Sequence, residues 1–462
     1  MLRVAAELAE RYLAGLAERP VGAPGEPGDL RAALGGALTD RGIDPERVVR
    51  ELADAADPGL IASAGPRYFG FVIGGSHPAA LAADWLVSTW DQNPGLYAVS
   101  PAVAMIEETA GRWALELLGL PPTASVGFVT GGHMANFTAL AAARHDVLRR
   151  AGWDVEERGL DGAPTVHLLV GGEAHVSISG ALRLLGFGAG RIRSVAADRQ
   201  GRMRVEALTD ALEGCRGPIV VCAQAGNVNS GAFDPLAEIA DLARAHGAWL
   251  HVDGAFGLWA AASPDLRHLV TGVERADSWA TDAHKWLNVP YDCGIVAVAD
   301  PATHRAAMGL TASYLGSPEG ERRDGQDWAP ELSRRARGVP VYAVLRALGR
   351  DGVAELVERS CRLARRMAER LDGRSGARVV NEIVLNQVLV RFEASSGADP
   401  DAHTREVIAR VQADGTCWMG GALWQDMEVM RISIVNWSTT EADIDRSAEA
   451  ILRCAEAAAA AS

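Results

Sequence analysis

Lysine is almost missing from this 462-residue chain: of its 45 Lys and Arg side chains, only Lys285 is an amine. A composition rich in Ala, Gly, Arg and Pro explains the scarcity as codon bias, but not why one lysine is retained. Arginine holds its charge and cannot serve as an amine nucleophile, whereas lysine can lose its proton and attack a carbonyl. Basic charge is also short overall. The net charge is −14 and the pI about 5.3, with no Lys/Arg-rich run, which excludes a nucleic-acid backbone as partner. No apolar run reaches the roughly 18 residues a membrane span needs, and the N-terminal Met1–Leu8 stretch carries charge where a secretion signal is apolar. The six cysteines have no CxxC spacing and read as reduced, buried thiols of a cytoplasmic protein. The 11 histidines show no metal-ligand spacing, so no metal is expected.

What is present has a clear order. Leu2, Leu8, Leu13 and Leu16 repeat at helical spacing before a Pro- and Gly-rich loop over 22–28, and a second helical stretch covers 30–56. From about 126 to 300, seven short apolar runs alternate with helical stretches: Val126–Val129, Val166–Val170, Ile192–Ala196, Ile219–Ala223, Trp249–Val252, Ser278–Thr281 and Ile295–Ala299. This alternation predicts an α/β fold, a mostly parallel seven-stranded sheet with helices on both faces. After 345, a helix over 351–372, a strand-like Val384–Arg391, another helix, Met430–Ile434 and a closing helix predict a small α+β domain. The expected organisation is a helical N-terminal segment (1–75), a large α/β domain (76–345) and a small C-terminal domain (346–462).

Chemistry gathers where the predicted strands end, the place where such sheets bind ligands. Gly131 and Gly132, followed by His133, lie between the first strand and a helix, and could admit an anion to backbone N–H groups at a helix N-terminus. A short glycine turn of this kind is, taken alone, more often an ordinary connection. Asp253 ends an apolar strand, where a carboxylate is costly without a cation unless it caps the next helix. Lys285, in Thr281-Asp282-Ala283-His284-Lys285-Trp286, ends the next strand 32 residues later. His175 follows yet another strand and offers a flat ring for stacking and proton handling. An anion cradle, an acid and an amine together suit one cofactor with a phosphate, a basic ring nitrogen and an aldehyde: pyridoxal 5′-phosphate.

From about Pro66 to Glu441 the chain resembles the group II pyridoxal-phosphate decarboxylases, the family of aromatic amino acid, glutamate and histidine decarboxylases. The likeness rests on Pro66-Arg67-Tyr68-Phe69-Gly70, Ser100-Pro101-Ala102, Thr130-Gly131-Gly132, Ala174-His175, Gly231-Ala232-Phe233-Asp234, His251-Val252-Asp253, Asp282-Ala283-His284-Lys285-Trp286 and Arg334-Arg335-Ala336-Arg337. It implies the type I fold of pyridoxal-phosphate enzymes, a homodimer with sites at the subunit interface, and decarboxylation of an L-amino acid to its amine. It further implies that Lys285 carries the cofactor, that Asp253 pairs with its ring nitrogen and that His175 stacks on the ring. Gly131, Gly132, His133, Thr281 and His284 would surround the phosphate, and Ala255 would lie against the other ring face. Leu96 and Tyr97, in a loop reaching the partner's site, and Gly74 would meet the substrate. The family places a tyrosine in the loop before Arg334; the matching position falls near Gly325, where this chain has none, while Tyr314 matches a different position. That departure implies, as alternatives, an oxidative aldehyde-forming decarboxylase or a carbon–carbon lyase on the same scaffold. A non-catalytic cofactor-binding protein is disfavoured because Lys285, Asp253 and His175 are all present.

Overall fold

The computed structural model describes residues 1–22, 25–310, 322–394 and 399–461. The seven apolar runs form seven strands: β1 (Ser125–Val129), β2 (His167–Gly171), β3 (Ile192–Val195), β4 (Ile219–Gln224), β5 (Trp249–Asp253), β6 (Ser278–Asp282) and β7 (Gly294–Val298). They join in one sheet of order β1-β7-β6-β5-β4-β2-β3. Pairings from β3 through β2, β4 and β5 to β6 are parallel, whereas β7 is antiparallel to both β6 and β1. Two reversals restore direction, so β1 runs the same way as β6. The ends of β1, β2, β5 and β6 therefore share one edge of the sheet.

The strands read as unbroken apolar runs because both faces are covered; β1, β4, β5, β6 and β7 are buried at every residue. The helix Gly132–Arg150 shows how the sequence permits this. Ala135, Ala139, Ala141, Ala142 and Ala143 are all fully buried, and their small side chains let the helix axis approach the sheet closely.

By internal contacts the chain divides into two compact units. One comprises 76–364 and 381–387 and contains the seven-stranded sheet; the other groups 1–75 with 365–380 and 388–462. The second unit carries a four-stranded sheet of order β10-β11-β9-β8, with β8 Ala377–Val379, β9 Gln387–Phe392, β10 Gly420–Trp424 and β11 Met427–Ser433. Within it Tyr68 stacks on Trp418, ring centroids 5.0 Å apart.

Two expectations need correcting. The stretch 30–56 is two helices, Pro27–Leu34 and Pro45–Ala56, because Gly36 takes φ 131° and Pro45 starts a new helix capped by Asp44. The helix expected from 351 begins at Gly338 and runs to Leu371, interrupted at Gly349 with φ 63°. All six cysteines are free, buried thiols. No helix among the described residues is long and apolar enough to cross a membrane.

Candidate active site

Asp253 is the last residue of β5 and is 7 % exposed. Burial pushes its carboxyl above the usual range. The nearby charges of Lys285 and His175, a hydrogen bond from Asn136 and the Ala255 backbone N–H pull the other way without cancelling the burial. Its oxygens are held on two sides: the Ala255 N–H donates to Oδ1 at 3.2 Å, and the Asn136 amide donates to Oδ2 at 3.1 Å.

Lys285 follows β6. Its Nζ lies 3.0 Å from Asp282 Oδ2, and its side chain keeps 19 % of its surface open. Asp282 Oδ1 is buried and has no hydrogen-bond partner; His284 Nε2 stands 3.7 Å from it. His284 accepts the Cys293 backbone N–H at Nδ1, 3.2 Å away. Its ring centroid lies 4.4 Å from that of Tyr291. Burial lowers the basicity of His284, so the ring is neutral and its remaining proton sits on Nε2.

Gly131 and Gly132 form the turn from β1 into the helix Gly132–Arg150. The Asp282 carboxylate fits beneath this turn: a Cβ on Gly132 would come within 2.8 Å of Oδ2. Glycine is thus required at 132 by the approach of a carboxylate. The first backbone N–H groups of the helix have no intrahelical partner and, with the helix dipole, suit an anion. His133 turns its ring toward the neighbouring helix Val176–Leu184, where a Cβ on Gly180 would stand 3.0 Å from Nε2. Thr281, inside β6, directs its hydroxyl to the Ala255 carbonyl at 3.4 Å, tying the ends of β5 and β6 together.

His175 caps the helix Val176–Leu184. Its Nδ1 accepts the Ser177 backbone N–H at 3.2 Å and lies 2.8 Å from the Ser177 hydroxyl. Ser177 Oγ in turn accepts a second hydrogen of the Asn136 amide at 3.1 Å. Asn136 therefore links His175 to Asp253, and its own oxygen meets His251 Nε2 at 2.9 Å. Asn136, Ser177, His251 and Asp282 were given no role from the sequence, although His251 and Asp282 open two of the tracts that carry the resemblance. Asn136 had a further signal, since it lies one helical turn beyond Gly132 and on the same face.

Leu96 and Tyr97 are tied to a different segment. The Tyr97 N–H donates to Asp324 at 2.7 Å, and Arg322 lies 5.7 Å from its ring. Gly74 belongs to the other compact unit. Tyr314 lies outside the described residues.

Gly325, near which the family's loop tyrosine is expected to fall, lies at a crowded place. It is buried in a short helix, Gly325–Asp327, and a Cβ there would stand 2.2 Å from the Pro94 carbonyl oxygen and 2.7 Å from Arg334 Nη2. A side chain at this position would force the Pro94 carbonyl or Arg334 to shift.

The donor set fits pyridoxal phosphate. A buried carboxylate that lacks a full counter-charge suits a ring cation, the glycine turn at a helix N-terminus suits a phosphate, and the chain's single amine suits an aldehyde. Comparison with known proteins agrees. Residues 27–394 match the family model described as pyridoxal-dependent decarboxylase conserved domain. An aromatic-L-amino-acid decarboxylase of Bacillus atrophaeus is 28% identical over 436 residues, 92% of this chain and 88% of that one. A 4-hydroxyphenylacetaldehyde synthase of Rhodiola rosea is 28% identical over 453 residues, 94% of this chain and 90% of its own. Among solved structures, Oryza sativa TDC with PLP and tryptamine aligns with a TM-score of 0.91 and 26% identity, covering 98% of this chain and 96% of that chain.

Proposed function

Because this chain belongs to the pyridoxal-dependent decarboxylase family and decarboxylates an L-amino acid with pyridoxal 5′-phosphate, we propose how its own residues divide that work. Bound pyridoxal phosphate supplies an aldehyde for amines and a protonated ring that draws electrons from the bond being broken. Lys285, the chain's single lysine, would supply the amine that holds the cofactor's aldehyde. Asp282, 3.0 Å from Nζ, accepts a hydrogen bond from that amine and fixes its position. Asp253 is the partner of the ring nitrogen; a buried carboxylate favours the ring cation strongly because little water screens it. His175 would lie along the ring, with Nδ1 occupied by Ser177, so that Nε2 would carry a proton. The N-terminus of the helix Gly132–Arg150, with Gly131, Gly132 and His133, receives the phosphate. Thr281, His284 and Ala255 complete the pocket, and Gly74, Leu96 and Tyr97 take part in choosing the substrate.

The observation that carries this reading is the single lysine of the chain, set at the strand edge that also holds the buried Asp253. A mass-spectrometric product scan of the holoenzyme with all L-amino acids, in air and without oxygen, tests it. The expected product is an amine lacking the carboxyl carbon, formed equally in both conditions, and it identifies the substrate. Aldehyde formed only in air would instead place the chain with chemistry like that named for the Rhodiola relative.

A cytoplasmic homodimer completes the proposal. Six free thiols fit a reducing compartment. On the helix Pro78–Trp90, Trp85, Leu86 and Trp90 are each more than 40% exposed, an apolar strip that a second copy would cover. Light scattering is expected to give twice the 48.7 kDa of the chain, and a monomer at micromolar concentration would refute the dimer.

A further inference from the structure

Behind Asp253 runs a row of buried polar groups. Trp249, at the start of β5, donates its Nε1–H to Ser278 Oγ at 2.9 Å. Ser278 Oγ lies 3.0 Å from His251 Nδ1, and His251 Nε2 lies 2.9 Å from Asn136 Oδ1. Asn136 Nδ2 reaches Asp253 Oδ2 at 3.1 Å. Asn136, His251 and Ser278 are 0% exposed.

With Asp253 ionised, as it would be opposite a ring cation, the protons in this row take one arrangement. An ionised carboxylate only accepts, so the atom of Asn136 facing Asp253 is its NH2 group. The oxygen of Asn136 must then face His251, and it requires a donor on Nε2. Burial lowers His251 to about 3, so the ring carries one proton, and Nε2 holds it. Nδ1 is left as an acceptor for the Ser278 hydroxyl, whose oxygen is free to receive the Trp249 N–H. Every hydrogen bond points toward Asp253. Reversing any one of them would leave a buried donor facing a donor, or an acceptor facing an acceptor, at a cost that a 0% exposed site cannot offset with water.

We propose that His251 is a positioning residue: held as the Nε2–H tautomer by Ser278 and Trp249, it fixes the Asn136 amide so that Asp253 stays an oriented carboxylate facing the ring-nitrogen position. The inference rests on the reading of Asp253 as the partner of the ring nitrogen. A core histidine serving packing alone would not need this directed row, since an apolar residue would fill the same space without a polar cost. The same amide also donates to Ser177, whose hydroxyl serves His175, so one locked asparagine sets both residues that meet the ring.

The test compares binding of pyridoxal phosphate with binding of its 1-deaza analogue, which has carbon in place of the ring nitrogen. Binding is read by borohydride fixation to Lys285 and intact mass. Wild type is expected to prefer the natural cofactor. His251→Leu removes the donor to Asn136 and is expected to shrink that preference up to about 10-fold, the upper worth of one neutral hydrogen bond. His251→Gln can still donate from its amide to Asn136 and is expected to restore most of the preference. Should His251→Leu fail to fold, Ser278→Ala answers the same question, because it unlocks the tautomer while leaving the ring in place; a smaller loss of preference is expected. Nitrogen-15 NMR of the holoprotein, with the His251 ring assigned by its loss in His251→Gln, gives an independent reading, and His251 is expected in the Nε2–H form. Undiminished preference in the variants, or an Nδ1–H tautomer at His251, would overturn the proposal. Failure of wild type to bind the cofactor at all would instead overturn the reading of the site on which it rests.

Discussion

Replacing Gly325 by alanine adds one methyl group to a place that has no room for it. The new carbon would lie 2.2 Å from the Pro94 carbonyl oxygen and 2.7 Å from Arg334 Nη2, well inside the usual carbon–oxygen contact of about 3.3 Å or more. Both neighbours resist displacement. Pro94 belongs to a turn pinned by the Gln326 N–H to the Gly95 carbonyl at 3.0 Å and by the Ser100 hydroxyl to the Asn93 carbonyl at 2.6 Å. Arg334 makes a two-pronged pair with Glu107 through two 2.8 Å contacts, its side chain only 2% exposed. Overpacking by one carbon costs about 1–3 kcal/mol. Relief by expelling Arg334 would break a buried ion pair, at about 3–5 kcal/mol, so the cheaper route is a shift of the 93–97 turn. Gly325→Ala is therefore expected to lose about 2 kcal/mol and, with it, about 2–3 °C of melting temperature. Gly190→Ala is the control, since its Cβ meets nothing within 4 Å. Scanning calorimetry of both variants decides the matter. If Gly325→Ala melted with wild type, the enclosure of this position would be wrong, and a tyrosine could be accommodated there after all.

Lys285→Ala is expected to leave no cofactor mass on the protein after borohydride treatment, and any residual covalent adduct would be inconsistent with the single-lysine reading. Because burial raises the Asp253 carboxyl, folding without cofactor favours its protonated form. The apoprotein is then expected to lose stability as pH climbs from the ordinary carboxylate range toward the raised value, and calorimetry across that window checks the sign. Over the same window cofactor affinity is expected to rise with pH as the carboxylate forms. Asp253→Asn should flatten that part of the profile and bind more weakly; an unchanged profile would assign it to another group. Tyr314→Phe asks whether the phenol that position 325 cannot hold comes from elsewhere in the same segment. A lower amine yield with more aldehyde in air is expected, and an unchanged product ratio would rule that phenol out.

Much of this protein is written locally. Seven apolar runs became seven strands because a parallel sheet buries both faces, so each strand needs only a short stretch of apolar side chains. Lys285 stood out by chemistry alone, as an amine in a chain that otherwise uses guanidinium. Asp253 was legible for a related reason: a carboxylate at the end of an apolar strand demands a cation. Other features depend on residues far apart in the chain, and no local pattern encodes them. Gly132 looked like half of a phosphate cradle, yet what requires glycine there is Asp282, 150 positions away and brought beneath the turn by strand order. Asn136 and Ser278 had no assigned role in the sequence, and His251 stood only as the first residue of the tract ending in Asp253. They form one directed row only because β5 and β6 pair in parallel, with His251 opposite Ser278, while a helix from the far end of the sheet packs across them. The crowding at Gly325 was hidden for the same reason, since counting along a loop cannot reveal that Pro94 and Arg334 pack against it. Composition and periodicity determined which elements form and which residues carry reactive groups; long-range packing alone decided which groups meet, which way their protons point and where a side chain has room.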